Sequence, residues 1–339
     1  MHSQTQPVVS IIVPCYNEER TIALLLEAIN IQNYPITDIE VVIADALSED
    51  DTRGVINRFA NKNPDLKIRV VDNSKKTIPA AVNTAANEAS GEFLIRIDAH
   101  SIPDRDYVRI IVNHLQSGIA ENVGGIWEIQ PGDKSCIARA IAVAASHPFG
   151  AGDAQYRISK KAAYVDTVPF GAFTKQKFLE LGGFDESLLS NEDYEFNTRL
   201  RMGGGKIWLD PAIKCQYFAR PNLKQLAKQY WRYGFWKAKM LRRFPQSIRW
   251  RQIVPPLFSA LVLILFATSF FIKIALIILF LLLSTYLFIL LSAGFLEVIK
   301  RKSVCYITMP CAFATIHFSW GCGFLFSFIR GIFKKKNNG

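Results

Sequence analysis

The chain has 339 residues, a formal net charge of +11 and a mean hydropathy of +0.14, with half its residues hydrophobic and a fifth charged. Such a length holds a full α/β core with roughly a hundred residues left over, and the hydropathy is too high for a purely soluble chain of this charge, so a membrane part is expected. The six cysteines include no CxxC pair, which argues against a zinc site and a disulfide framework and leaves buried or lipid-facing thiols as the expectation.

The opening MHSQTQPVVS lacks the charged-then-apolar pattern of a secretory signal, so the front half is expected to stay in the cytoplasm. Residues 8–13 read as a short buried strand stopped by Pro14. Asn17-Glu-Glu opens a helix running to about residue 31, with its acids in the first turn where the helix dipole favours them. A second strand over 39–44 ends at Asp45, and a helix over 51–61 follows. Strand 68–71, helix 78–89 and strand 93–97 complete the pattern, the last ending at Asp98. Strands alternating with helices predict an α/β fold with a doubly wound, mainly parallel sheet, whose ligands bind beyond the carboxyl ends of the strands. Asp45 and Asp98 both stand at such ends. Further on, Gly124-Gly-Ile-Trp127 predicts a strand and 136–146 a helix. The stretch 148–164 has the composition of a flexible active-site loop. Residues 178–200 read as two helices broken at Gly182-Gly-Phe-Asp185.

Composition changes after about residue 222. Between 224 and 252 stand nine Lys or Arg and no acid, interleaved with Tyr230, Trp231, Tyr233, Phe235, Trp236, Phe244 and Trp250. Directly before an apolar run, this pattern predicts a helix at the interface of an anionic leaflet, with lipid rather than nucleic acid as partner; a solvated basic helix is the plainer alternative. Segments 253–272 and 274–296, parted by Lys273, are each long enough to cross a bilayer and form a candidate hairpin. Segment 305–329 is a third candidate, interrupted by Pro310, His317, Gly321 and Gly323. Arg249 and Arg251 before the hairpin and Lys300-Arg-Lys302 after it place both flanks in the cytoplasm by the positive-inside rule. A third span would put Arg330 and Lys334-Lys-Lys336 outside, against that rule, so the last segment is re-entrant or the rule is broken. His317 reads as a packed or interhelical residue, and as an ionisable group at membrane depth it also carries a functional hypothesis.

Several polar stations have chemical meaning at these positions. Asp98-Ala-His100 can hold a hard divalent cation against a diphosphate and so neutralise a leaving nucleoside diphosphate; a solvated strand-end turn is the plain alternative. Glu192 and Asp193, in Asn191-Glu-Asp-Tyr-Glu195, offer a carboxylate to take the proton of an attacking hydroxyl, or simply an acidic helix start. The loop from Asp45 to Thr52 suits a base or ribose, or a helix cap. Lys75-Lys76, after the third strand, can meet a phosphate or remain a solvated pair. No G-x-G-x-x-G or P-loop pattern occurs, which counts against dinucleotide and P-loop sites.

Taken in order, these stations resemble the family 2 glycosyltransferases over about residues 8–240. Val9-Ser-Ile-Ile-Val-Pro14-Cys-Tyr16-Asn17-Glu18 is similar to that family's opening strand and nucleotide loop. Asp45 to Thr52 is similar to its D-G-x-S-x-D-G-T loop, with Ala46 and Asp51 in place of two glycines. Lys76, Pro79 and Ala80, within 73–83, resemble its third nucleotide-side stretch. Asp98-Ala-His100 stands at its D-x-D position, in the form seen in the succinoglycan-type exopolysaccharide glucosyltransferase branch. Glu192-Asp193 matches its E-D motif, and Gln229-Tyr-Trp-Arg232-Tyr233 resembles its Q-x-x-R-W motif with Tyr for Trp.

The resemblance implies a GT-A sheet and an inverting single displacement, with Asp193 as catalytic base. It assigns Pro14, Tyr16, Asn17, Glu18, Asp45, Lys76 and Asp98 to the nucleotide-sugar, and Asp98 and His100 to Mg²⁺ or Mn²⁺. Glu192, Gln229 and Arg232 become acceptor or pyrophosphate contacts. The implied donor is a nucleotide-sugar, UDP-glucose by analogy with that branch, and the implied acceptor a lipid-linked oligosaccharide or polysaccharide. A polyprenyl-phosphate glycosyltransferase and a non-catalytic membrane-tethered scaffold are the alternatives. The expected organisation is a cytoplasmic catalytic domain over 1–222, an interfacial segment over 223–252, a membrane domain over 253–333 and a basic tail over 334–339. The expected location is the inner membrane, crossed more than once.

Overall fold

The structure, a computed structural model, describes residues 8–336; residues 1–7 and the end of the expected basic tail (337–339) lie outside the described residues. The chain divides into two compact units, one formed by 1–128 and 155–217, the other by 129–154 and 218–339.

In the first unit β1 (Val9–Cys15), α1 (Ile22–Asn30), β2 (Ile39–Asp45), α2 (Thr52–Lys62), β3 (Lys67–Asp72), α3 (Ile78–Glu88) and β4 (Phe93–Arg96) alternate. β5 (Ser101–Pro103), α4 (Tyr107–Gln116) and β6 (Asn122–Gln130) follow, β6 running into the second unit. The second unit then takes α5 (Cys136–Ser146) and α6 (Pro148–Ala151). The chain re-enters the first with α7 (Gln155–Ile158), β7 (Ala163–Tyr164), β8 (Ala172–Thr174), α8 (Lys175–Glu180), α9 (Glu192–Met202) and β9 (Ile207–Phe218).

Strand order is β3-β2-β1-β4-β8-β6-β9-β5, with β7 also paired to β9. Pairings β3-β2, β2-β1 and β1-β4 are parallel, and β4-β8, β8-β6, β9-β5 and β9-β7 antiparallel. The expected parallel half is therefore present, and the sheet is extended by an antiparallel half. Side chains of the parallel strands alternate between two cores. Val9, Ile11, Val13, Ile39, Val41, Ile43, Phe93, Ile95 and Ile97 pack with α1, α2 and α4. Ile12, Val42, Ala44 and Leu94 pack with α3, α8 and α9. A strand buried on both faces has no polar side to spare, which is why these segments read as continuous apolar runs.

Three local expectations shift. The first helix starts at Ile22 rather than at Asn17, because 16–21 form a loop in which Asn17 takes a left-handed φ of 54°. The expected flexible loop 148–164 contains α6, α7 and β7. The two helices over 178–200 become α8, ending at Glu180, and α9, starting at Glu192, with positive φ at both Gly182 and Gly183 between them.

The second unit carries α10 (Leu223–Leu241), α11 (Trp250–Ser269), α12 (Lys273–Arg301) and α13 (Met309–Lys336). The last three are long and apolar enough to cross a membrane. α11 and α12 pack together, joined by three residues, as the expected hairpin. Most of their large apolar side chains, among them Leu257, Leu263, Phe266, Phe280 and Phe288, face outward, as lipid-facing residues do. α10 packs along α13, and a Cβ at Gly234 or Gly323 would run into the backbone of the other helix. The basic segment is thus a helix paired to the third apolar helix as well as a carrier of exposed Lys224, Lys228, Arg232 and Arg242. His317 is interhelical as expected, its Nδ1 2.9 Å from Tyr286 Oη on α12 and its Nε2 2.6 Å from the Phe149 carbonyl. Contrary to the expectation for the cysteines, Cys136 and Cys305 form a disulfide, which joins the start of α5 to the turn before α13. Sequence spacing cannot show such a pair, since 169 residues separate its members. Cys15 and Cys215 are buried free thiols.

Candidate active site

Parallel strands that end together bring their following loops together, and the register does so here. Cys15 stands opposite Asp45, Asp45 opposite Asp72, and Ile12 opposite Arg96. The loops after β1, β2, β3 and β4 therefore share one sheet edge. Non-glycine residues in the left-handed region gather in them: Asn17, Leu47 and Lys76, with Phe170 and Asn191 elsewhere in the same unit. Such conformations cost on the order of 1–3 kcal/mol each and persist only where their surroundings dictate them.

The first two loops interlock. Ser48 Oγ accepts from the Asn17 amide at 2.8 Å, Asn17 Oδ1 accepts from the Glu49 amide at 2.8 Å, and Thr52 Oγ1 accepts from the Glu18 amide at 2.8 Å. Asp45 is fully buried. Its carboxylate accepts from Ser48 Oγ at 2.5 Å and from the Ser48 amide at 3.1 Å. Arg53 Nε adds a 2.6 Å contact, and the same guanidinium reaches Asp72 at 2.5 Å. Tyr16 is exposed, with Lys76 Nζ 5.7 Å above its ring, and Pro14 is half-buried at the end of β1.

His100 joins the β4 loop to the β1 loop, its Nδ1 and Glu18 Oε1 sharing a 2.9 Å hydrogen bond. A carboxylate on one ring nitrogen is the arrangement that orients histidine ligands of metals. Among the described residues no three His, Cys, Asp or Glu side chains group as a metal cage. Asp98 and His100 alone suit Mg²⁺ or Mn²⁺ only in the manner of sites that take most of their ligands from water and substrate phosphates.

Period-2 geometry puts Leu94, Arg96 and Asp98 on the face that α9 covers. Arg96 is buried there. Its Nη2 lies 3.3 Å from Asp98 Oδ1 and its Nη1 3.3 Å from Glu192 Oε1. Burial works against the Arg96 cation, but Asp98, Glu192 and Asp193 around it more than offset this and hold it charged. Burial likewise raises the Glu192 and Asp193 carboxyls above the ordinary range; Arg96 opposes that rise and the neighbouring carboxylates add to it. Asp193 Oδ1 also accepts from the Tyr194 amide at 2.7 Å.

α9 is fixed on several sides. Asn122 Nδ2 donates to Asn197 Oδ1 at 2.6 Å, and Asn197 Nδ2 donates to Thr167 Oγ1 at 2.8 Å, all three buried. Tyr194 Oη donates to Asp166 at 3.0 Å. Arg199 clasps Glu195 and bonds the Leu181 and Gly183 carbonyls.

A continuous chain of contacts thus runs from Asp45 through Ser48, Asn17, Glu18 and His100, and a second joins Asp98 through Arg96 to Glu192. Gln229 and Arg232 belong to the second unit, on α10, where Gln229 Nε2 donates to Tyr233 Oη at 2.9 Å and Arg232 is exposed. Arg53 and Arg96 received no role from the sequence. For Arg96 a signal existed, since a basic residue two before Asp98 on one strand must share its face. Arg53 offered none, because its reach to Asp45 and Asp72 depends on how α2 packs.

The model of glycosyl transferase family 2 matches residues 10–181. A Methanococcus voltae dolichyl N-acetyl-alpha-D-glucosaminyl phosphate 3-beta-D-2,3-diacetamido-2,3-dideoxy-beta-D-glucuronosyltransferase is 28% identical over 96% of this chain and 97% of its own length. The succinoglycan biosynthesis protein ExoA of Rhizobium meliloti (strain 1021) is 32% identical over 72% of this chain and 73% of its own. Among solved structures, the mannosyltransferase PcManGT from Pyrobaculum calidifontis in complex with GDP-Man and Mn²⁺ superposes with a TM-score of 0.62 at 20% identity, over 93% of this chain and 87% of that one, a likeness of fold. With its GT-A-like sheet, its matched front half and a relative alike along nearly its whole length, the chain belongs to glycosyl transferase family 2 and is a glycosyltransferase of the EC 2.4 class.

Proposed function

We propose that the chain transfers a sugar, glucose from UDP-glucose by analogy, from a nucleotide-sugar to a lipid-linked saccharide, inverting the anomeric centre, in the synthesis of a cell-surface glycan. The nucleoside lies over the β1 and β2 loops, with Tyr16, Asn17, Glu18 and Asp45 around base and ribose and Lys76 toward the phosphates. Asp98 and His100 would hold Mg²⁺ or Mn²⁺, which would supply positive charge against the departing diphosphate. Asp193 takes the proton of the acceptor hydroxyl as that oxygen attacks the anomeric carbon, and the bond to the diphosphate breaks with oxocarbenium character. Glu192 lies beside it, and Gln229 and Arg232 serve the acceptor or its pyrophosphate.

The observation that carries this reading is the placing of buried Glu192 and half-buried Asp193 at the start of α9, with Glu192 tied through Arg96 to Asp98. A carboxylate partly shielded from water and held above its ordinary pKa is a stronger proton acceptor than a solvated one. For the acceptor, two features support a lipid: the three long apolar helices, and the Methanococcus voltae relative, named for a dolichyl-phosphate-linked sugar. The basic, aromatic α10 supports an anionic membrane surface as a further partner.

The test is a donor screen in membranes containing the protein, against lipid-phosphate and lipid-diphosphate saccharides, with divalent metal supplied and then chelated. Transfer of sugar to a lipid-linked saccharide, lost on chelation and restored by Mn²⁺ or Mg²⁺, is the expected result. Transfer to a bare polyprenyl phosphate alone would instead establish the rival acceptor. Donor hydrolysis or transfer of neither kind, with protein that binds donor, would overturn the reading.

A further inference from the structure

Arg96 is a buried cation that no motif assigns, and its surroundings are unusual. It sits mid-sheet on β4, its amide donating to the Gly171 carbonyl at 3.3 Å. One fork nitrogen faces Asp98 Oδ1 and the other faces Glu192 Oε1, each at 3.3 Å. Phe184 lies under the guanidinium, 5.5 Å from its centre, and Nε is buried with no hydrogen-bond partner among the described residues. The side chain of Arg96 is 6% exposed and that of Asp98 18%, so Asp98 keeps an open side while Arg96 lies behind it.

We infer that Arg96 is a positioning residue that sets the donor-side carboxylate Asp98 and the acceptor-side pair Glu192–Asp193 at a fixed separation, through one planar fork. This rests on the functional reading above. A guanidinium offers two parallel donors in a rigid plane, whereas an ammonium is a point charge on a flexible stem. Arg96 engages Oδ1 of Asp98, which orients the other edge of that carboxylate. The second arm holds the first residue of α9, and Asp193 is next along that helix. Donor and base come from separate chain segments, β4 and α9, and their mutual placement is what an in-line displacement requires.

The experiment is Arg96→Lys, with Arg96→Met/Glu192→Gln as a second variant that removes the cation together with the carboxylate held by its second arm. Turnover is measured with saturating donor and divalent metal and normalised to the number of donor sites found by titration calorimetry, which corrects for any misfolded fraction. The expectation is a fall in kcat of roughly 100-fold for Arg96→Lys, the effect of a displacement near 1 Å, with donor affinity within about threefold of the parent. The double variant, correctly folded by the same titration, shows a comparable loss. A purely structural role predicts fewer donor sites with unchanged turnover per site. That outcome, or parental kcat in either variant, overturns the inference. Asp193→Asn run alongside separates the two claims: if it is inactive while Arg96→Lys is normal, only the positioning role fails, and if it retains full transfer, the base assignment fails first.

Discussion

Asp193 is the residue on which the proposed chemistry turns, and its surroundings make its removal easy to interpret. Replacement by Asn keeps the shape and the acceptor atom for the Tyr194 amide, and removes only the capacity to take a proton. Asp193→Asn is expected to lower kcat by about 10²–10⁴-fold, the usual contribution of a positioned general base, with donor binding little changed. Radiolabelled sugar transfer beside titration calorimetry measures both. The pH dependence follows from the same burial. Because the Asp193 and Glu192 carboxyls are raised above the ordinary range, and only the ionised base is active, kcat falls as pH drops through the raised value. The acid limb of kcat is thus expected at higher pH than an exposed aspartate would give. A limb at the ordinary aspartate value would show that the base is a different, solvated group. At this scale the sequence singled out Asp45, Asp98, His100 and Asp193 as candidates, by their places after strands and by the family resemblance; their roles remain proposals. Neither Arg53 nor Arg96 was singled out: the spacing of Arg96 to Asp98 carried a signal that went unused, and the partners of Arg53 depend on how α2 packs.

Among the elements, α9 carries the greatest demand. Its apolar side chains are few, and its register on the sheet is set by polar contacts that burial makes strict. Asn197 is the central one, bonded to Asn122 on β6 and to Thr167 ahead of β8. Asn197→Leu is expected to leave both partners unsatisfied and to cost about 1–3 kcal/mol, read as a lower unfolding midpoint in detergent. Asn197→Asp, which retains an acceptor for Asn122, is expected to lose less if it takes up a proton. α9 shows how the predicted helix boundaries moved: Asn191 at its N-cap is left-handed, with φ 63°, and the helix starts at Glu192. Conversely β2, β4 and α5 were legible almost to the residue, whereas β1, expected to stop before Pro14, runs through it to Cys15. Their apolar runs are buried whatever lies beside them, and Ser135 caps α5 by accepting from the Ala138 amide at 3.2 Å.

For the whole molecule, the three long apolar helices make membrane association the dominant physical property. The protein is expected to remain in the membrane fraction through an alkaline carbonate wash and to leave it only with detergent, as judged by immunoblot; release by carbonate would limit the apolar helices to a peripheral attachment. Length and hydropathy alone determined that property, since each segment reaches the roughly 20 residues a bilayer core demands. They also determined the alternating strands and helices, hence a parallel half-sheet with its polar loops along one edge, because period and burial are local properties of a chain. The tertiary structure decided what depends on residues distant in sequence. It added the antiparallel half of the sheet and the pairing of α10 with α13. It joined Cys136 to Cys305 and placed Arg96 between Asp98 and Glu192. Each of these is a contact between two segments that carry no mark of one another, and only the folded chain brings them within reach.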